Sequence, residues 1–255
     1  MNLSFPTTAQ CARWATVACL LAGLSACDDS SDGPRQSFVR MNQVQYLGTH
    51  NSYHLRLRED LFQILLGFRP AVAPTLDYSH VPLTEQFEAQ GVRQIELDIF
   101  YDPNGGLYAD RQALILVGDD ITSGIPELSE PGMKVLHVQE IDYETTCYTF
   151  VSCLLEIKAW SDANRNHLPI TVLVEAKDEA VEDPLDLDFV IPLPFDSAAL
   201  DQIDEEIRSV FAETQLITPD LVRAERASLE AVVLAGEWPL LDEVRGRIMF
   251  ALDNG

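Results

Sequence analysis

The stretch VRQIELDIF, residues 92–100, is apolar enough for a buried strand, yet it carries Glu96 and Asp98 near its end. Strand periodicity is two, so both carboxylates point to one face. Burying them is costly unless they are paired or bound to a metal. Similar strand-like runs recur at QVQYLGTH (43–50), MKVLHV (133–138), ITVLVEA (170–176) and RIMFALD (247–253). Helical candidates lie between them. TEQFEAQG (84–91) opens on Thr84 as an N-cap and closes on Gly91 as a C-cap. TFVSCLLEIKAWSDAN (149–164) places Phe150, Cys153, Leu154, Ile157 and Trp160 at helical spacing. SAALDQIDEEIRSVFAETQ (197–215) does the same with Leu200, Ile203, Ile207, Val210 and Phe211. Residues 181–197, with three prolines, read as a long loop. This alternation predicts an α/β fold, a parallel sheet covered by helices, of TIM-barrel-like (β/α) type. About five strands fall short of the eight in a full barrel, so the barrel is expected to be incomplete at its C-terminal end and the sequence reads as a fragment.

The 255 residues are 47% hydrophobic and 23% charged, the composition of a globular domain with a sizeable core. A formal net charge of −24 argues against nucleic acid as a partner and against electrostatic attraction to anionic headgroups. Residues 1–26 hold one charge, Arg13, ahead of WATVACLLAGL, which is too short to span a bilayer and has the length of a signal-peptide core. LSAC (24–27) is similar to a bacterial lipobox, which would lipidate Cys27; an ordinary signal peptidase site is the alternative. The expected layout is a lipoprotein-type signal peptide (1–26), a flexible tether (27–39) and one domain (40–255). The expected location is exported: membrane-anchored through the lipid, periplasmic or at the cell surface, otherwise secreted. Of five cysteines, Cys11 and Cys19 would leave with the signal and Cys27 would carry lipid. Cys147 and Cys153 remain, and an oxidising compartment favours a disulfide between them, with two buried thiols as the alternative.

In folds of this type the chemistry sits at the C-terminal ends of the strands. The predicted first strand ends on His50 and Asn51, the second carries Glu96 and Asp98, the third His137, and the fourth Glu175, with Lys177 two residues on. Each would break an apolar run if it lay in a core. Asn51, Glu96, Asp98 and Glu175 offer hard oxygen ligands, which suit Ca2+ or, less well, Mg2+ rather than zinc. His50 and His137 then serve as an acid–base pair, because histidine titrates near neutrality. A divalent cation with two histidines fits phosphodiester cleavage.

GTHNSYH (48–54), LTEQFEAQGVRQIELDIFYD (83–102), KVLHV (134–138) and ITVLVEAKD (170–178) together resemble the phosphoinositide-specific phospholipase C superfamily, in particular its secreted, calcium-dependent bacterial group. YSHVPLTEQ (78–86), residues 147–170 and EWPLLDEVRGRIMFALDN (237–254) extend the similarity to roughly residues 40–255. The resemblance implies a TIM-barrel phosphodiesterase that uses calcium and cleaves phosphatidylinositol-type lipids. It implies His50 and His137 as catalytic residues and Asn51, Glu96, Asp98 and Glu175 as metal ligands. Lys177 is a looser match, a contact to substrate phosphate. Two other readings share these residues: a glycerophosphodiesterase or another phospholipase, and a surface lipoprotein that binds calcium or lipid without turnover.

The remaining polar residues have plainer expectations. His54 and His80 are expected as surface or supporting loop residues, His167 as a loop residue, and Glu140, Asp142 and Glu144 as a solvated loop. Asp102 with Asn104, Gly105 and Gly106 reads as a tight turn. A salt bridge from Glu96 or Asp98 to Arg93 or Arg111 is the structural alternative to metal binding.

Overall fold

The structure is a computed structural model, described over residues 38–253. The expected signal peptide, Cys27 and most of the expected tether lie outside the described residues. Among those residues no helix is long and apolar enough to cross a membrane.

The apolar runs become strands where helices cover one face of the sheet. β1 (Gln94–Phe100), β2 (Lys134–Val135), β3 (Ile170–Ala176) and β4 (Ile248–Asp253) form one sheet in the order β2-β1-β3-β4. β1, β3 and β4 run parallel, with Asp98 opposite Glu175 and Glu175 opposite Asp253. One face, with Ile95, Leu97 and Ile99 of β1 and Val172 and Val174 of β3, is fully buried. Three helices cover it: α2 (Leu83–Glu88), α3 (Phe150–Ala163) and α4 (Ser197–Val210), reached after α1 (Glu59–Phe68) on the strand-end side. Phe150, Cys153, Leu154, Ile157 and Trp160 of α3 enter this core, as the helical spacing predicts. Thr149 caps α3 by accepting from Ser152 N, and Asp196 caps α4 by accepting from Ala198 and Ala199 N. Two short helices follow, α5 (Pro219–Arg223) and α6 (Leu229–Ala235), around a smaller cluster that includes Met41, Val232 and Val244. Cys147 and Cys153 are joined as a disulfide at the start of α3.

Several expectations need correction. Residues 43–50 are not a regular strand: only Gly48 bridges to Gln94, and Leu47 is exposed. The stretch lies against half of one edge of β1. Gln94 O and Glu96 O accept from Thr49 N and Ser52 N, both at 3.1 Å, while Arg93 O faces the other way to Thr171 N at 2.9 Å. β2 takes the other half of that edge. It runs antiparallel to β1, not parallel as expected, and is only two residues long, because the chain soon turns back in a hairpin closed by Val138 and Asp142. α2 begins after Pro82, and Thr84 bonds to Glu156 of α3 rather than capping its own helix. Leu200 is exposed beside β4 instead of entering the core. His167 lies in a loop, as expected, but is buried, bonded to Ser161 Oγ at 2.7 Å. Asp102 does form the turn, with Gly105 N donating to its carbonyl, but its side chain is also buried against Lys134 Nζ at 3.3 Å. At Gly105 (φ +75) a Cβ would stand 2.3 Å from Ser129 O, so the turn requires glycine.

Gln86 of α2 fixes the strand-end loop. Wholly buried, it accepts from Thr49 Oγ1 at 2.8 Å and donates to Ser52 O and Val81 O at 2.7 Å each. Gln86→Leu removes the donor to Ser52 O and Val81 O, at about 1–3 kcal/mol for each buried group left unpaired, while Thr49 Oγ1 keeps its bond to Ser52 Oγ. Urea unfolding is expected to show a loss of about 2–4 kcal/mol, and a neutral variant would mean that the loop holds its shape without the clamp.

Candidate active site

The open face of the sheet carries the chemistry. Glu96 and Asp98 of β1 alternate with the buried apolar face, and the parallel register sets Glu175 beside Asp98. The three carboxylates lie within 4.8 Å of one another. Asp98 is fully buried and Glu96 nearly so, while Glu175 is partly open to a cleft of about 370 Å³ shared with His137 and Lys177. Neither Asp98 oxygen has a hydrogen-bond partner. Its nearest cation is Lys177 Nζ, at 3.4 Å, which also lies 3.1 Å from Glu175 Oε1. Burial pushes the Asp98 carboxyl up to about 6; Glu175 and Glu96 add to the rise, and Lys177 and His137 oppose it. Burial works to lower the Lys177 ammonium, but Asp98 and Glu175 outweigh it and the pKa is raised. Arg93 and Arg111 take no part: Arg93 stacks on Trp160, and Arg111 lies over Tyr143 near Glu144.

Asn51 joins the carboxylates by backbone shape. It takes a left-handed conformation (φ +46), which asparagine tolerates better than most residues. Its N–H then donates to Glu96 Oε2 at 3.3 Å, and its Nδ2 donates to Tyr78 Oη at 3.1 Å. Its Oδ1 is buried with no partner. An unpartnered amide oxygen near three crowded carboxylates is a donor set for a hard divalent cation, and these residues fit calcium.

His50 and His137 are held in different ways. The His50 ring is 76% exposed, with Nε2 3.8 Å from Glu96 Oε2, and its carbonyl accepts from His80 Nε2 at 2.9 Å. His137 is largely covered, and its Nδ1 donates to Asp142 Oδ2 at 2.6 Å, which leaves Nε2 free for a substrate. The same carboxylate accepts from His54 Nε2 at 2.8 Å. His54 is fully buried and stacks on Tyr78 at 4.3 Å. A line of contacts therefore runs from His137 through Asp142, His54 and Tyr78 to Asn51. Asp142 and Glu140 are thus buried rather than solvated, Glu144 only partly exposed, and His54 is interior. The one sequence signal for this was a second histidine, in GTHNSYH, that no catalytic role absorbed. His80 bonds the His50 carbonyl, and burial lowers its pKa.

Residues 39–255 match the family of Ca2+-dependent phosphoinositide phospholipases C. No curated protein matches the chain. Similar solved structures include a calcium-dependent phosphoinositol-specific phospholipase C from a Gram-negative Pseudomonas species, in two apo crystal forms. Both are 16% identical and cover 87% of this chain and 60% of theirs, with TM-scores of 0.51 and 0.50. A Ca2+-dependent phosphatidylinositol-specific phospholipase C from Streptomyces antibioticus is 18% identical, covering 81% of this chain and 51% of its own, with a TM-score of 0.46. The chain spans about 60% of the length of the Pseudomonas enzyme. The likeness shows the fold, that of the phospholipase C-like phosphodiesterases, and the four strands described here form an open part of such a barrel.

A carboxyl raised to about 6 in the folded protein, against about 3.9 unfolded, is penalised when charged. Its favourable share of stability is present below about pH 4 and is lost as pH rises through 6. Asp98→Asn is therefore expected to stabilise the calcium-free protein at pH 7.5 by about 2–3 kcal/mol and to change little at pH 4. Calcium should raise the unfolding midpoint of the parent but not of the variant; an equal rise in both would remove Asp98 from the ligand set.

Proposed function

The chain belongs to the Ca2+-dependent phosphoinositide phospholipase C family, and from that premise we propose that it cleaves the phosphodiester of phosphatidylinositol-type lipids. The observation that carries this reading is the pairing of a buried, under-partnered oxygen cluster with two histidines held by separate supports.

Asn51, Glu96, Asp98 and Glu175 would hold calcium. When bound there, the ion supplies a positive charge that polarises the phosphoryl oxygen and favours ionisation of the attacking hydroxyl. His50 and His137 move the protons. The inositol 2-hydroxyl attacks phosphorus as one histidine takes its proton. The bond to the glycerol oxygen breaks, and the other histidine protonates that oxygen. Diacylglycerol leaves, with a cyclic phosphoinositol as the other product. Asp142 orients His137 by accepting from Nδ1, so that Nε2 serves the substrate. His54 and Tyr78 keep Asp142 from turning away. Lys177, bonded to Glu175 at the cleft, would contact the substrate phosphate.

The test is hydrolysis of phosphatidylinositol with calcium and then with a chelator. Calcium-dependent release of a phosphoinositol is expected, and its absence in a folded, calcium-binding protein would overturn the proposal. His137→Ala and His50→Ala should each lower kcat by about 10²–10⁴-fold, the usual contribution of an acid or base. Asp142→Asn should cost on the order of 10²-fold in kcat with KM nearly unchanged, because it misaims a histidine without touching the lipid.

A further inference from the structure

A second cavity, of about 220 Å³, lies between α1 and the segment 182–189. Leu61 and Ala113, 3% and 1% exposed, close its floor. Leu65, Leu116, Leu187 and Phe189 form its walls, and Phe68 and Leu185 open to solvent. Arg69 and Glu182, both exposed, pair with each other at the mouth.

Two segments that line the catalytic cleft continue into the lining of this cavity. The hairpin closed by Val138 and Asp142 carries His137 just before it and ends on Asp142; its turn residue Ile141 lines the cavity. The loop after β3 leaves the cleft at Glu175 and Lys177 and reaches the cavity at Glu182. Gln139 Nε2 donates to Glu179 O at 3.0 Å and ties hairpin to loop. Both elements thus run from polar chemistry in the cleft to hydrocarbon-like surface in the cavity.

We infer that this cavity takes one acyl chain of the lipid whose phosphodiester occupies the cleft; the inference rests on the function proposed above. A chain with a net charge of −24 offers an anionic lipid no general electrostatic attraction. Preference for the lipid over its water-soluble headgroup must then come from apolar contact. An apolar cavity lined by the continuation of the hairpin and loop that line the cleft supplies that contact.

The experiment uses the full chain with calcium and monomeric phosphatidylinositols with acyl chains of four, six and eight carbons, below their micelle concentrations, beside glycerophosphoinositol. In the parent protein KM is expected to fall by about two- to fourfold per added methylene, as burial of each in an apolar site implies. Leu116→Trp, which fills the wall, should flatten that dependence while leaving turnover of glycerophosphoinositol unchanged. Ala113→Phe, which fills the floor, is the second variant should the first unfold. A chain-length dependence unaltered in a folded variant overturns the inference. If the parent cleaves no substrate, the fault lies with the proposed function, and binding of a nitrobenzoxadiazole-tagged lysophosphatidylcholine decides the cavity by fluorescence. Binding lost on filling supports the acyl site, and binding that persists overturns it.

Discussion

Three carboxylates from two neighbouring strands stand within 4.8 Å of one another, and the two on β1 are shut away from water. At an effective dielectric of about 20, unit charges at that spacing repel by about 3 kcal/mol per pair. Attraction does not bring these groups together. The sheet does: the β1–β3 register sets Asp98 opposite Glu175, and the ladder is anchored by Ile95, Leu97, Ile99, Val172 and Val174 under the helices. Lys177 offsets part of the repulsion, yet the Asp98 carboxyl still stands at about 6. The apolar face of the sheet therefore maintains a polar face that would not persist alone.

The histidines depend on the same frame at one remove. His50 sits on a loop whose backbone is bonded to β1 through Thr49 and Ser52 and clamped from α2 by Gln86. Its ring is left exposed, while His80 holds its carbonyl. His137 follows the short β2 and is aimed by a side chain, Asp142, which is itself fixed by the buried His54. One histidine is placed by backbone and the other by a carboxylate. The two supports meet at Tyr78, which stacks on His54 and accepts from Asn51.

Much of this was legible in the sequence, for a physical reason. Residues 94–100 and 170–176 are paired on both edges and buried on the helix face, so their apolar patterns are strong, while residues 248–253 are paired with one strand and bury Ile248. Helix α3 shows its stripe because one side faces the sheet. Residues 43–50 misled because a run ending in a polar cluster resembles a strand, whereas Asn42, Gln43 and Gln45 mark its exposure. Asp142 could not be read at all. It lies in the acidic sequence EIDYE, 88 residues from His54 and 5 from His137, and only the tertiary fold removes it from water. Local composition reports how polar a segment is. It does not report whether two distant histidines will converge on it.

The charge of the cleft also bears on the proposed function. Glu96, Asp98 and Glu175 face one nearby lysine, so the floor of the cleft is net negative before any cation is taken up. A phosphodiester is itself an anion. Distant surface carboxylates are screened over about 8 Å at physiological salt, but groups at contact are not. Within that proposal an anionic substrate would be repelled at the reacting position unless a divalent charge held by Asn51, Glu96, Asp98 and Glu175 offset these carboxylates. Lys177, drawn to Asp98 and Glu175, is the protein's own cation at the same place, and it offsets only part of their charge.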